Sequence, residues 1–438
     1  MHFNRLSRIK FRMGRLSVSH GLLPAPRLVA FATGLTAVLA IACSGSSTPG
    51  PTTPGAARPT ALPTALVTPT ADPVPTPTRT PRPPTPTPLP TATPQPLAFQ
   101  RIGDLLMARE EHTSTLLDDG RVLITGGRDR FGDAVAQTEL FDSATDSLML
   151  AGDMVVARAG HTATLLKDGR VLVAGGADDV KVIGSAEIFD PVTDTWTAIP
   201  EMIELRFGQG AILLDDGRVL MIGGSGRSSL VPNSEIYDPE TNSWELAGNI
   251  EQRRAFPAVT LLPDGRALVA GGSGDAGYQV SVEVFNPADG TWAQAERMIA
   301  GRSGHTATLL RDNKIFVVGG VGLSSDGNVE THISTELFDD ETGMWRQLAD
   351  MNNRRSGHAM AVLPDGRILV VGGTDDLAFL SSAEIYDPQN GEWTFIGEMA
   401  QPRLSHRATA LPDGRVLVSG GFTGGDTIAT LEIYDPGR

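Results

Sequence analysis

The sequence predicts an all-β fold for residues 97–438, built from seven copies of one four-stranded unit. Three observations support this prediction: a Gly-Gly pair recurs every 48 to 53 residues, each pair closes an apolar run, and turn residues separate short strand-like segments. The first glycines of the pairs are Gly126, Gly175, Gly223, Gly271, Gly319, Gly372 and Gly420. Self-similarity at this period is typical of a repeat architecture, so residues 97–438 are expected to form one domain.

The second unit illustrates the four strands of each repeat. Asp168-Gly169-Arg170 joins the first two strands, and an Asp-Gly pair supplies the positive φ that a tight hairpin needs. Asp190-Pro191 turns the chain between the third and the fourth. The strands are expected at residues 161–166, 171–174, 186–189 and 195–199. The apolar first and second strands suit a doubly buried position in a sheet.

The repeat also carries a family resemblance. Four antiparallel strands in about 50 residues, a Gly-Gly pair and a later aromatic pair resemble the kelch repeat. All seven units keep Gly-Gly, Glu-x-[Phe/Tyr] and the Asp turn, so the resemblance covers nearly all of residues 97–438. Leu148 stands at the position of the family's Trp in the first unit, and the five tryptophans of the chain take that position elsewhere: Trp196, Trp244, Trp292, Trp345 and Trp393. The resemblance implies a seven-bladed β-propeller.

The two ends of the repeat region are complementary. The last unit stops at residues 435–438, before a fourth strand. Phe99–Leu105 aligns with Trp393–Met399 when both segments are counted back from His112 and His406. We therefore expect the N-terminal strand to complete the last blade, which closes the ring and removes two exposed sheet edges.

Residues 1–42 have the pattern of a signal peptide. They carry six Lys or Arg, no Asp or Glu, and an apolar run from Leu28 to Ala42 that is shorter than the roughly 20 residues of a membrane-spanning helix. The run ends in Leu39-Ala40-Ile41-Ala42-Cys43, which resembles a bacterial lipobox. That resemblance implies cleavage before Cys43, lipidation of its thiol and a membrane anchor. An ordinary signal peptide or an uncleaved anchor is the alternative.

Residues 43–96 are expected to form a disordered stalk after the lipidated Cys43. Of the 49 residues from Thr48 to Pro96, 31 are Pro or Thr, a composition that favours extended polyproline II without a core. Leader, lipobox and stalk together predict an extracytoplasmic lipoprotein, held at a membrane or cell surface. Because Cys43 is the only cysteine, a disulfide framework is excluded.

The charge of residues 97–438 limits the possible partners. This segment has 27 Lys and Arg against 50 Asp and Glu, a net charge of −23. Such a surface repels phosphate backbones and anionic headgroups, so no nucleic-acid partner is expected and membrane contact is expected through the lipid anchor only. We expect the propeller to be a monomer.

Strand parity gives the two ends of the propeller different roles. The Asp-Gly and Asp-Pro turns share one face, and the loops between strands two and three share the other with the segments between blades. The loops between strands two and three vary, and variable loops on a rigid scaffold are where recognition usually lies. The candidate binding residues are Arg130, Phe131, Lys181, Leu230, Tyr278, Asp326, His332, Phe379 and Phe422. A protein or a glycan is the expected ligand, and tolerant surface loops are the alternative.

Every unit also carries one Arg before its first strand and one Glu at the start of its third. A cationic ring for an anionic ligand is one interpretation. Seven bidentate Arg–carboxylate pairs that tie loops to blades are the interpretation we favour, because equal numbers and fixed spacing suit a scaffold. The arginines are Arg109, Arg158, Arg206, Arg254, Arg302, Arg355 and Arg403, and the glutamates are Glu139, Glu187, Glu235, Glu283, Glu336, Glu384 and Glu432.

Metal and cofactor chemistry is not expected. Five histidines share one repeat position, and their spread around a ring keeps them beyond the roughly 2 Å reach of a common zinc ion. They are His112, His161, His305, His358 and His406. The kelch family includes copper radical oxidases resembling galactose oxidase, which need a cysteine crosslinked to a tyrosine, whereas Cys43 lies in the lipobox. A binding module is therefore the expected function, and a sugar-modifying enzyme, epimerase- or lyase-like, is the alternative.

Overall fold

A computed structural model of the protein describes residues 98–437. Within this range the chain forms seven four-stranded antiparallel sheets, together with one three-stranded and one two-stranded sheet in the loops. The predicted all-β fold is confirmed, with one sheet for each repeat.

The first six blades begin with their innermost strands, which precede each Asp-Gly or Asp-Asn turn. Blade 1 contains β2 (Thr113–Leu116), β3 (Arg121–Thr125), β4 (Thr138–Asp142) and β5 (Ser147–Leu150); blade 2 contains β6 (Thr162–Leu165), β7 (Val171–Ala174), β8 (Ala186–Asp190) and β9 (Thr195–Ile199); blade 3 contains β10 (Gly210–Leu213), β11 (Val219–Ile222), β12 (Asn233–Asp238) and β13 (Ser243–Asn249). Blade 4 contains β15 (Ala258–Leu261), β16 (Ala267–Ala270), β19 (Val282–Asn286) and β20 (Thr291–Ala295); blade 5 contains β21 (Thr306–Leu309), β22 (Lys314–Val318), β25 (Thr335–Asp339) and β26 (Met344–Gln347); blade 6 contains β27 (Ala359–Val362), β28 (Ile368–Val371), β29 (Ser382–Asp387) and β30 (Glu392–Glu398).

Blade 7 joins the two ends of the described chain. It contains β31 (Arg407–Ala410), β32 (Val416–Ser419), β33 (Thr430–Tyr434) and, as its outer strand, β1 (Phe99–Asp104). Phe99 pairs with Tyr434 at 5.5 Å between ring centroids, much as Trp393 pairs with Tyr386 at 5.2 Å in blade 6. Phe99 therefore takes the place of the repeat's Trp, and the predicted closure by the N-terminal strand is confirmed.

The core lies between neighbouring blades. One hydrophobic cluster, for example, joins Leu172 of blade 2 to Met221 and Tyr237 of blade 3. Another joins Leu417 of blade 7 to Val122 of blade 1 across the closure. Since each sheet buries both faces against its neighbours, the second strand of each blade is almost entirely inaccessible to solvent.

The Gly-Gly pairs are required by this packing. Gly126 has φ +65, and a Cβ there would lie 2.4 Å from Cε1 of His161 in the next blade. Gly127 has φ +101, and a Cβ there would lie 2.5 Å from the carbonyl oxygen of Glu110 in its own blade. The first glycine thus admits the histidine of the following blade, and the second admits the segment that leads into the innermost strand.

Additional short strands occur only in the loops of the described range. They are β14 (Arg254–Ala255), β17 (Ser273–Gly274) and β18 (Gly277–Tyr278) near blade 4, and β23 (Val321–Leu323) and β24 (Val329–Thr331) in blade 5. The leader, Cys43 and the stalk fall outside residues 98–437, so lipidation and tethering remain predictions. Within residues 98–437 there is no helix long and apolar enough to cross a bilayer.

Candidate functional site: the axial cavity of the loop face

The strand register assigns the turns and loops to opposite ends of the propeller. Thr162 pairs with Ala174, and Leu165 pairs with Val171. The Asp-Gly turn after Leu165 therefore lies at one end, which we call the turn face. The start of the innermost strand and the loop after Ala174 lie at the other end, which we call the loop face.

The arginines and glutamates of the repeat are paired and buried. Arg109 donates through Nη2 to Oε1 of Glu139 at 2.6 Å, and both side chains are 0% exposed. The remaining pairs have the same arrangement: Arg158–Glu187, Arg206–Glu235, Arg254–Glu283, Arg302–Glu336, Arg355–Glu384 and Arg403–Glu432. All seven contacts lie inside the blades, away from solvent.

These pairs differ in geometry from the expected bidentate contact. Only Nη2 of Arg109 reaches the carboxylate, while Nη1 donates to the carbonyl oxygens of Gly126 and Gln137 at 3.0 and 2.8 Å. Glu139 in turn accepts backbone N–H groups of Leu106 at 2.7 Å and Met107 at 3.3 Å. Burial lowers the pKa of the Arg109 guanidinium, and the Glu139 carboxylate opposes that shift. Each pair thus ties three backbone segments together, which is a structural role.

An open cavity of about 350 Å³ lies on the propeller axis at the loop face. All seven blades contribute to it, through the segments that immediately precede their innermost strands. Its lining includes Phe207, Phe256, Pro257 and Leu404, which make part of the wall apolar. The rings of Phe207 and Phe256 contact edge to face at 5.6 Å between centroids.

One backbone position surrounds the mouth of this cavity. All seven residues at this position have φ between +53 and +63: Glu111, Gly160, Gly208, Phe256, Gly304, Gly357 and Ser405. Glycine adopts this conformation at no steric cost, whereas the three other residues adopt it under strain. Four blades show that glycine is enough to build this turn. The strained non-glycine residues in the other three blades therefore indicate a functional position.

Two charged side chains line the cavity, Glu111 and Arg407. Glu111 is 11% exposed and pairs with Nε of Arg128 at 3.3 Å. Burial raises the pKa of Glu111 to about 7, while Arg128 opposes the shift and neighbouring Glu110 adds to it. Burial lowers the pKa of the Arg407 guanidinium, against the influence of Glu111. The axis therefore holds one titratable acid and one cation.

The five histidines of the repeat lie at the junctions between blades. Nε2 of His161 contacts Oγ1 of Thr113 at 3.0 Å, and Nε2 of His358 contacts Oγ1 of Thr306 at 2.8 Å. Burial lowers the pKa of His112, His161, His305, His358 and His406, so these rings are neutral near pH 7. They fill the space left by the first glycine of each pair.

The nine predicted binding residues all lie on the loop face, but none lines the axial cavity. Four are exposed: Arg130, Phe131, Lys181 and Asp326. Leu230, Tyr278, Phe379 and Phe422 are half-buried. His332 is only 6% exposed, because Nε2 contacts the carbonyl oxygen of Gly301 at 3.1 Å beneath the hairpin β23–β24. The role of His332 in binding stays a prediction.

Two pairs of predicted residues come together. Phe379 and Phe422 contact edge to face at 5.8 Å between centroids, so they link the loops of blades 6 and 7. Tyr278 and His332 line one groove of about 550 Å³, together with Glu330 and Arg354. The remaining predicted residues are spread around the rim.

A copper site does not fit the residues of the described range. Within residues 98–437 no group of three or more His, Cys, Asp or Glu side chains could hold a metal ion. Tyr237, Tyr386 and Tyr434 pack against aromatic rings inside their blades. Among residues 98–437, the copper chemistry of the oxidases therefore has no set of ligands.

Comparison with known families agrees with this architecture. The description "KLHDC2/KLHL20/DRC7 Kelch-repeats domain" matches residues 111–320, and two kelch motif descriptions match residues 301–352 and 354–400. The chain belongs to the kelch-repeat family. The comparison with curated proteins gave no match.

Two solved structures share the kelch propeller fold. A fungal alcohol oxidase of the AA5 family, in complex with copper, is 19% identical with a TM-score of 0.63; the match covers 77% of this chain and 75% of that one. The protein YjhT is 15% identical with a TM-score of 0.54; the match covers 67% of this chain and 99% of that one. At these identities the likeness is one of fold, so the chemistry of the oxidase is not assigned to this chain.

The residues of the axial cavity were missed by sequence reasoning. A detectable signal existed, because Glu111, Phe256 and Ser405 interrupt a column of glycines and Arg407 interrupts a column of Thr, Gly and Ala. The predicted binding residues came from the variable loops, whereas these four residues lie beside the histidine position that recurs in the repeat.

Proposed function

We infer that the protein is a surface-tethered kelch propeller that binds a protein or a glycan through its loop face. The observation that carries this proposal is the axial cavity, where four residues depart from the repeat and line one open pocket. The other blades have glycine, or another small residue, at the same repeat positions. The cavity and the groove beside Tyr278 provide concave surfaces of the kind that ligands occupy.

The direction of chain entry supports the tethered arrangement. Phe99 pairs with Tyr434 at the turn end of β33, so the chain enters blade 7 at the turn face. A stalk attached there leaves the loop face on the side of the propeller opposite to the anchor.

The test combines a screen with matched variants. The chain of residues 43–438 carrying Cys43→Ser would be screened against immobilised glycans and surface proteins. Phe256→Gly at the cavity and Tyr278→Ala at the groove are expected to lower the affinity for a captured ligand by at least about tenfold. Val192→Ala, on the turn face and 90% exposed, is the control and should change nothing. Ligand loss in Val192→Ala alone would contradict recognition by the loop face.

The anchor is tested separately in the native chain. Cys43→Ala should abolish palmitate labelling and release the protein from the membrane fraction. Unchanged labelling would contradict the lipoprotein proposal without affecting the loop face.

A sugar-modifying enzyme is the second candidate, and one observation favours it. Glu111 has a pKa of about 7 in an open cavity, which suits a general acid or base. Incubation with a panel of reducing sugars, followed by NMR, would separate the two functions. Turnover that Glu111→Gln abolishes would favour the enzyme, and binding without turnover would favour the binding module.

A further inference from the structure

The position of Arg407 sets blade 7 apart from the other blades. Arg407 is the first residue of β31, at the entrance to the axial cavity. The other blades have small side chains there: Thr113, Thr162, Gly210, Ala258, Thr306 and Ala359. A guanidinium at this position reaches into space that six blades leave free.

The charge of the half-buried Arg407 lacks the compensation that the seven buried arginines of the repeat have. Within residues 98–437 it makes no salt bridge, and its hydrogen bond runs from Nη1 to the carbonyl oxygen of His406 at 3.1 Å. Arg403, four residues earlier, by contrast pairs with Glu432 and donates to three further acceptors. A guanidinium keeps several donors in a fixed plane, so Arg407 has donors left for an anionic group.

Backbone donors add to this site. The residues of the positive-φ position form a chain of N–H···O=C bonds around the mouth, in which Glu111 donates to Ser405 and Gly160 donates to Glu111, both at 3.1 Å. The chain is open at two places. Within the described residues, the N–H groups of Gly304 and Ser405 have no acceptor. Buried or half-buried N–H groups in a cavity are available to an anion.

We propose that the axial cavity binds a small organic anion, a carboxylate carried on an apolar body, beside Arg407 and Glu111. This inference deepens the proposed function and rests on it for the use of the loop face. The carboxylate pairs with the Arg407 guanidinium, and the protonated Glu111 carboxyl donates to it. Phe207, Phe256 and Leu404 contact the apolar body.

Protonation of Glu111 links this binding to pH. When Glu111 is protonated, it donates a hydrogen bond; when it is ionised, it repels the anion and compensates Arg407. The charged groups around it are Glu110, Arg128 and Arg407, and the nearby rings of His112 and His406 are neutral because burial lowers their pKa. Affinity should therefore fall as pH rises through about 7, the pKa of Glu111.

The experiment is calorimetric titration of residues 43–438 carrying Cys43→Ser, in a phosphate-free buffer. The probes are benzoate, acetate and glucuronate, which share a carboxylate and differ in the body that carries it. Benzoate is expected to bind more tightly than acetate, and to lose affinity by about tenfold between pH 6 and pH 8. Tighter binding of glucuronate than of benzoate would contradict the apolar body and would point to an acidic sugar instead.

Matched variants assign the effect to the cavity. Arg407→Thr, which introduces the residue of three other blades, should abolish benzoate binding, and its melting curve shows whether the chain is folded. Glu111→Gln should keep binding and remove its pH dependence. Arg170→Thr makes the same change on the turn face, where Arg170 pairs with Asp168 at 2.6 Å, and should leave both properties intact.

The outcomes separate this inference from the proposed function. No binding of any carboxylate at 10 mM, or equal binding by folded Arg407→Thr, would overturn the anion site while leaving recognition by the loop face to its own screen. A different result would overturn the proposed function alone. In that case benzoate binding requires Arg407, but the loop-face variants do not weaken the binding of a captured glycan or protein.

Discussion

Arginine has two different roles at the residue scale. In the repeat position it is fully buried, paired with a glutamate and hydrogen-bonded to backbone carbonyls, so its charge is satisfied within one blade. In Arg407 it lies in a cavity with a single backbone acceptor. The number of partners, more than burial, distinguishes a structural charge from one that is available to a ligand.

The structural role predicts a large loss of stability when one partner is removed. Arg206→Ala should lower the free energy of unfolding by about 3–5 kcal/mol, because Glu235 is left buried and unpaired. Arg218→Ala removes a partly exposed guanidinium that pairs with Asp216 at 2.7 Å, and should cost less than about 1 kcal/mol. Denaturant unfolding of both variants checks the difference. Equal stability of Arg206→Ala and the parent would show that the ring is dispensable for folding.

At the residue scale, the sequence predicted the partners of the Arg–Glu pairs but not their geometry, and it did not predict the cavity. The fixed spacing of Arg206 and Glu235 within their repeat indicated a pair, because a periodic contact leaves a periodic signal. The single partner geometry was missed, since backbone carbonyls that compete for a guanidinium have no sequence signature. Arg407 was missed because its role depends on how far one side chain extends beyond six smaller ones.

At the scale of elements, the closure of blade 7 by the N-terminal strand is the main determinant of stability. β1 contributes the outer strand of blade 7, and its Phe99 is only 2% exposed against Tyr434. Without β1, the edge of β33 would present unpaired N–H and C=O groups to other chains. The alignment of Phe99–Leu105 with the fourth strand of blade 6 predicted this closure, because both segments follow the same repeat.

Deleting β1 should therefore destabilise the propeller and promote association. A chain that begins at Leu106 is expected to lose at least about 3 kcal/mol relative to a chain that begins at Ala98, since the burial of Phe99 alone is worth that much. Denaturant unfolding measures the loss, and size-exclusion chromatography detects pairing through the free edge. Identical unfolding and elution of the two chains would contradict strand donation.

The loop hairpins show where element prediction failed. β23–β24 and β17–β18 are strands of two or three residues, too short to show an alternating pattern. Their formation depends on contacts with neighbouring loops, so the sequence indicated loop length and not loop structure. The burial of His332 was therefore not apparent from the sequence, because the hairpin above it removes it from solvent.

The whole molecule depends on seven similar junctions between blades. Five of them contain a buried neutral histidine, one contains Gln209, and one contains Pro257. Gln209 occupies the histidine position with Nε2 donating to the carbonyl oxygen of Ala174 at 2.8 Å. Blade 3 of this propeller therefore shows that a neutral amide can take the place of the imidazole.

Acid should weaken all five histidine junctions together. The unfolded chain takes up a proton at each histidine near pH 6.5, while the folded ring of His358 resists protonation down to a pKa of about 3. The contribution of the histidines to the free energy of unfolding is therefore largely present above pH 6.5 and falls progressively below it. For His358 the loss is about 2 kcal/mol between pH 6.5 and pH 5, and the other four histidines change stability in the same direction. Glu111 acts in the opposite direction, since its pKa is raised to about 7, but it is one group against five. Melting curves from pH 8 to pH 5 measure the net effect, and His358→Gln should reduce the slope by one proton. A melting temperature that does not change over this range would show that the histidines are protonated in the folded chain.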